Sequence, residues 1–271
     1  MAAPPRQRLE IIALAAPAYL WLTATVFLPL MAMVYFSFLT TVPVGGRIAS
    51  FTLAHYVSFF TKPIYWFNAW RSIELGIYVT AISLLVGYPA ALALSRYVRG
   101  RWREAIFLLI ILPFWSNALV RTFSWTMVLR EPLNLLFTYP AIVIGLVHAY
   151  LPYAILTIYI SLQAIDESLI EASRSLGATA IQTFFRVILP LSMPGVLAAI
   201  FLIFVPVIGS FMEPRILGGK DAIMLGPIIE GQFTAAFNWP LGAALSFMML
   251  AIVLLMLAIA APLLKRQLGS S

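Results

Sequence analysis

Apolar positions in this chain run in long uninterrupted blocks, over about 11–39, 71–95, 105–130, 140–163, 192–213 and 241–264. Several of these stretches exceed the roughly 18 apolar residues that mark a membrane-crossing helix. A membrane-spanning strand barrel would instead read as short segments alternating between apolar and polar. The pattern therefore predicts an all-α membrane protein with six transmembrane helices, forming one membrane domain over residues 1–271. The first block follows Arg6 and Arg8. It is far longer than a secretory signal core of about 7–15 residues and lacks a small-residue cleavage site, so it is expected to remain as the first helix.

One stretch breaks the pattern. Residues 164–191 hold most of "EASRSLGATAIQTFFRVILPLSMPG", Glu171 to Gly195, which is too polar to span and too apolar to be a solvated linker. Glu171, Ala172 and Ser173 suit a short exposed helix, and Gly177 can take the left-handed conformation that ends it. Ile181, Phe184, Phe185 and Ile188 then recur at helical spacing, predicting a second helix packed on the bundle. Pro190 and Pro194 are expected to break that helix where the fifth span begins.

Composition narrows the class. The chain is 62% hydrophobic and 10% charged, with a mean hydropathy of +0.98, whereas a water-exposed surface needs roughly 25% charged residues. There is no cysteine, which excludes disulfides and thiolate metal sites. The net charge of +7 falls beside apolar blocks and not along a soluble face, so it points to lipid headgroups and not to nucleic acid. Of the 17 Lys and Arg residues, ten lie at the termini, in the 96–103 cluster and in the 164–191 loop. Six (Arg47, Lys62, Arg71, Arg130, Arg215 and Lys220) lie on the other side, and Arg121 lies within the third block. The positive-inside rule then makes both termini and the 164–191 loop cytoplasmic, as in a bacterial inner membrane. Residues 40–70 and 214–240, rich in Gly, Pro, Trp and Phe, are expected outside as interfacial segments.

Chemistry-bearing residues are sparse. "GGKD" at Gly218–Asp221 lacks the Ser or Thr and the preceding strand of a nucleotide-binding loop. His55 and His148 are too isolated for a metal, and His148 is expected to hydrogen-bond between helices. Arg121 stands out, because a guanidinium inside a span costs roughly 2.5 kcal/mol or more and must face the bundle or a wet cavity. Trp115, Asn117, Thr122 and Trp125 surround it in sequence and make a candidate substrate pathway. The competing reading is an arginine that snorkels to headgroups or pairs with Glu131. Pro29, Pro89, Pro113, Pro152 and Pro206 predict kinks or unwound turns.

Glu171, Ala172, Gly177, Leu189 and Pro190 fit the pattern EAA, three residues, Gly, nine residues, Ile, one residue, Leu-Pro, with Ser173 for the second Ala and Val187 for the Ile. This resembles the membrane subunits of binding-protein-dependent ABC importers. "LPFWSNALVRTFSW", "AIVIGLVHAYLPYAIL", "GGKDAIMLGPIIEGQF" and "NWPLGAALS" look like the first permease subunit of the spermidine/putrescine type. The resemblance implies the type I importer permease fold, in which Glu171, Ala172, Ser173 and Gly177 belong to a cytoplasmic coupling helix and its turn. It also implies a second homologous permease, two ATPase subunits, a periplasmic or extracellular solute-binding protein, and no cofactor on this chain, ATP and magnesium being used by the ATPase.

Near the end of the fifth block the polyamine-type pattern resembles Gly, an acidic residue, Phe. Here Ser210 takes the acidic place and Glu213 follows three residues later. Either Glu213 has taken over recognition of a substrate ammonium, or the solute is opine-like or amino-acid-derived, a reading that Arg121 and Arg215 favour. Glu213 and Arg215 could also be a plain ion pair. A stand-alone secondary transporter would need intramembrane acids or inverted repeats. An intramembrane enzyme would need paired catalytic groups within the spans. The sequence shows no inverted repeat and no such pair within the spans.

Overall fold

The computed structural model describes residues 5–42 and 48–268. Arg47, one of the basic residues in the charge pattern, lies outside them. The described backbone is almost wholly helical, relieved by one isolated antiparallel bridge between Leu39 and Phe51. The chain divides into two compact units, one of residues 1–62 and 231–248 and one of residues 63–230 and 249–271.

The smaller unit contains α1 (Pro5–Ser37) and α2 (Ala54–Thr61). From Leu14 onward the apolar side chains of α1 are largely exposed, as a lipid-facing helix requires. The turn after α1 is clamped locally. His55 Nε2 lies 2.9 Å from the Leu39 carbonyl oxygen, and the Tyr56 hydroxyl donates to Ser37 Oγ at 2.8 Å. His55 is thus occupied in holding a loop.

The larger unit is built on α3 (Pro63–Arg96), followed by α4 (Arg101–Ile111), a 3-10 turn (Leu112–Trp115) and α5 (Ala118–Val128). Next come α6 (Tyr139–Gln163), α7 (Glu167–Ser175), α8 (Ala180–Thr183), a π turn (Phe184–Ile188) and α9 (Leu189–Ile208). The short helix α10 (Met212–Leu217) follows, and α11 (Leu225–Thr234) and α12 (Trp239–Leu268) each have residues in both units. Helices α3, α6 and α9 pack on one another around Leu75, Val79, Ile142, Leu146, Ile158 and Ile203, all essentially inaccessible. Lipid tails are as apolar as leucine, so helices associate in a membrane through close packing at small residues. A Cβ on Gly195 would lie 2.5 Å from the Thr157 carbonyl oxygen, so α9 rests directly on the backbone of α6.

Among the described residues, five helices are long and apolar enough to cross a membrane, and the bent pair 101–115 and 118–128 makes a sixth crossing if counted as one. The expected span 105–130 is therefore not one helix. It bends by 100° at a break because Pro113 has no N–H to continue the ladder and Asn117 starts a new helix. The expected span 71–95 begins earlier, at Pro63, taking in residues assigned to an external segment. The expected span 192–213 stops at Ile208, which leaves Glu213 in the first turn of α10. Pro190 and Pro194 do not end a helix, since the chain runs helically from Ala180 to Ile208 and widens into a π turn just before Pro190. Pro29, Pro89, Pro152 and Pro206 lie inside continuous helices, so of the five prolines Pro113 marks the unwound turn.

Candidate functional site

Two regions of the larger unit carry the residues singled out in the sequence. The first is the connection from α6 to α9. Asp166 caps α7, its Oδ1 accepting from the Ser168 amide at 2.9 Å. That hydrogen bond holds the Asp166 carboxyl below its ordinary pKa. Ile170 is buried and anchors α7, while Glu171 and Ala172 face outward. The helix ends as its sequence predicts. Gly177 has φ +83°, its N–H bonds to the Arg174 carbonyl at 2.9 Å, and the Ala178 N–H bonds to the Ser173 carbonyl at 3.2 Å, the paired bonds of a Schellman end. Thr179 and Gln182 then form a reciprocal capping box that starts α8.

Ala172, Ser173 and Gly177 line an open groove of about 470 Å³ together with Leu169, Leu176 and Arg186. Glu171 does not line it. Ser173, the departure from the alanine of the pattern, has a partner that alanine could not serve: its Oγ lies 3.1 Å from Oγ1 of the buried Thr183. The predicted packing face of the second helix is half right. Phe184 and Ile188 are partly buried, but Ile181 and Phe185 are 71% and 60% exposed. Helix α8 is a single turn, and the π turn after it resets the helical phase on which that face was drawn.

The second region lies where α10 packs against α5 and α6. A groove of about 380 Å³ beside the break in the third span is lined by Leu112, Pro113, Ser116, Arg121, Trp125 and His148, among others. Arg121 Nη1 donates to the Pro113 carbonyl at 3.1 Å, and it forms no ion pair with Glu131. Trp125 Nε1 donates to His148 Nδ1 at 3.1 Å, with the rings edge-on at 5.3 Å. An indole N–H can only donate, so Nδ1 must accept and the neutral ring carries its proton on Nε2. His148 is thus the interhelical partner that the sequence suggested. Trp115 and Asn117 do not line the groove. Trp115 is 89% exposed, and Asn117 is the N-cap of α5, accepting from the Leu119 amide at 2.8 Å.

Ser210 Oγ donates to Glu213 Oε2 at 2.6 Å. Arg215 pairs with Glu230 and not with Glu213, which disposes of the local pair suggested by their spacing. Tyr150 on α6 lies within electrostatic reach of both Glu213 and Arg121. Sequence reasoning missed Tyr150 and Glu230. A tyrosine two residues from His148 in a span was a signal, whereas the Arg215–Glu230 pairing depends on how the chain folds back through α11. Among the described residues no cluster of His, Asp and Glu could hold a metal ion.

Residues 83–268 match the family described as binding-protein-dependent transport system inner membrane component. The chain belongs to that family. It is 35% identical over 242 residues to the spermidine/putrescine transport system permease protein PotB of Haemophilus influenzae, covering 83% of this chain and 84% of that one. To PotB of Escherichia coli it is 33% identical over 255 residues, covering 88% and 92%. Among solved structures, a bacterial ABC transporter that imports the acidic polysaccharide alginate superposes with a TM-score of 0.73 at 16% identity, covering 96% of each chain. The fold is that of an importer permease, and the chain is a multi-pass membrane subunit of a transporter.

Proposed function

We propose that this permease passes a polyamine such as putrescine or spermidine through an ATP-driven importer. The observation that carries the reading is the 33–35% identity to two spermidine/putrescine permeases along more than four fifths of every chain compared. The Glu213 carboxylate supports it. An acid within reach of Tyr150 and held by Ser210 suits an ammonium group. The rival opine-like solute drew on two cations. Arg215 is neutralised by Glu230, which removes one of the two cations on which that rival rests; Arg121 bonds a backbone carbonyl and keeps its charge.

In this reading the termini and the α6–α9 connection face the cytoplasm, and α7, with Glu171, Ala172, Ser173 and the Gly177 turn, docks on a separate ATPase subunit. A second permease completes the pathway, and an external binding protein delivers the solute. ATP and magnesium are used by the ATPase. Arg121, Trp125, Ser210 and Glu213 belong to the substrate pathway, with His148 and Tyr150 joining them; Trp115 and Asn117 act through the geometry of the break. The test is uptake by the assembled complex in liposomes loaded with ATP, comparing labelled putrescine, spermidine and an opine. Polyamine uptake that Glu213→Gln weakens through a raised KM supports the reading; opine uptake with neither polyamine transported overturns it.

A further inference from the structure

The helical run from Ala180 to Ile208 carries the α7 turn into the bundle, and its weak point is the π turn Phe184–Ile188. There the Leu189 N–H reaches back five residues to the Phe184 carbonyl. Pro190 explains the widening. It has no N–H for the Arg186 carbonyl and its ring would crowd that carbonyl in a regular α-helix. A π turn holds one residue more than the α-helix it interrupts, so closing or moving it re-registers one side against the other by about 100° and 1.5 Å.

Tyr88, on α3, touches the start of this turn and the helix just beyond it. Its ring stands edge-on to Phe184 at 5.6 Å, and its hydroxyl lies 2.7 Å from Oγ of the fully buried Ser192, in the first turn of α9. The Ser192 hydroxyl donates to the Leu189 carbonyl at 3.0 Å, which uses its one hydrogen, so Tyr88 is the donor in the pair. Ser161 on α6 adds a 3.3 Å bond to the Ser192 carbonyl oxygen. The α9 side of the turn is therefore pinned to α3 and α6. On the other side, α8 is tied to α7 through Thr183 and Ser173.

We propose that Tyr88 is a positioning residue for energy coupling, latching α9 to α3 so that displacement of α7 passes through the π turn into the bundle. Without the latch, the same displacement is absorbed by re-registering the turn. The inference rests on the reading of α7 as the ATPase-docking helix and names the route by which its motion travels.

The experiment compares Tyr88→Phe, Ser192→Ala and the double variant, each in the complete complex in liposomes, by solute molecules imported per ATP hydrolysed. Tyr88→Phe keeps the ring on Phe184 and removes only the hydroxyl. Each single variant is expected to lower the ratio by about threefold, the size of one average interhelical hydrogen bond, and the double variant to lower it no further. A purely structural defect would lower uptake and hydrolysis together and leave the ratio unchanged. Wild-type ratios in all three variants, or losses that multiply in the double variant, overturn the latch. Glu171→Lys run beside them separates the two ideas. If it abolishes hydrolysis stimulated by the binding protein while Tyr88→Phe keeps the wild-type ratio, the latch alone falls. If Glu171→Lys behaves as wild type, the docking reading fails and the proposed route fails with it.

Discussion

Gly177 offers a clean perturbation, because backbone conformation and steric fit separate there. With φ at +83° it closes the Schellman end of α7, yet a Cβ built on it meets nothing within 4 Å. Any penalty for a larger residue is therefore conformational. An L-residue held in the left-handed region loses about 1–2 kcal/mol, equivalent to a shift of about 5- to 30-fold in the population of the native turn. Asparagine visits that region more readily, and a β-branched residue least. Binding-protein-stimulated ATP hydrolysis and solute uptake should thus fall in the order Gly, Asn, Ala, Val at position 177. Ala178→Val should be milder, since Ala178 has ordinary negative φ. Both activities are measured on complexes matched for amount in liposomes. Asn and Val variants of equal activity, or a Val variant indistinguishable from wild type, would refute the claim that the turn geometry is what coupling needs.

Glu171→Lys should reduce uptake and stimulated hydrolysis while membrane insertion is normal, because Glu171 is exposed and, in the proposed reading, offers its charge to the ATPase; wild-type uptake would count against it. Gly195→Val should destabilise the isolated subunit by about 1–3 kcal/mol through overpacking against α6, read as a lower thermal midpoint in detergent. The Asp166 cap should be pH-dependent in a defined direction. Because its carboxyl is held below the ordinary value of 3.8, its contribution is complete above that value and lost as pH falls through the lowered pKa, so Ser168 amide protection should hold constant from pH 7 to pH 5. Asp166→Ala should remove that protection, and Asp166→Asn should keep most of it. Arg121→Ala should impair uptake at normal expression, and unchanged uptake would remove Arg121 from the pathway.

What was legible in the sequence was what depends on local composition. Length and apolarity are enough to announce a crossing, and α7 with its Gly177 end is written in neighbouring residues. Where helical phase or backbone path matters, the pattern misled. The expected face through Ile181 and Phe185 assumed 3.6 residues per turn across a segment where Pro190 forces a wider one. Pairings such as Arg215 with Glu230 and Tyr88 with Ser192 join residues 15 and 104 positions apart, and a single sequence carries no signal for them. Hydropathy also counts residues 105–130 as one span, being blind to direction. The signs of the break were present as Pro113 and the helix-starting Asn117.

That break and the intramembrane charge explain each other. Ending α4 and its 3-10 turn at Trp115 leaves carbonyl oxygens without the N–H partners a continuing helix would supply, and lipid offers none. The Pro113 carbonyl instead collects the Ser116 amide at 3.2 Å, the Ser116 hydroxyl at 2.7 Å and Arg121 Nη1 at 3.1 Å. The guanidinium sits at a helix C-terminus, where the aligned peptide dipoles present partial negative charge. A cation that costs roughly 2.5 kcal/mol or more to insert thus meets the one kind of site in a helical span that needs a cation and extra donors. The groove beside the break inherits the rest of the geometry. With Arg121 fixed by Pro113, the next turn of α5 is set so that Trp125 reaches His148. Arg121→Ala is therefore expected to loosen the Trp125–His148 pair as well as to remove a charge, and restoring that pair's hydrogen bond without restoring uptake would show that the charge itself is required.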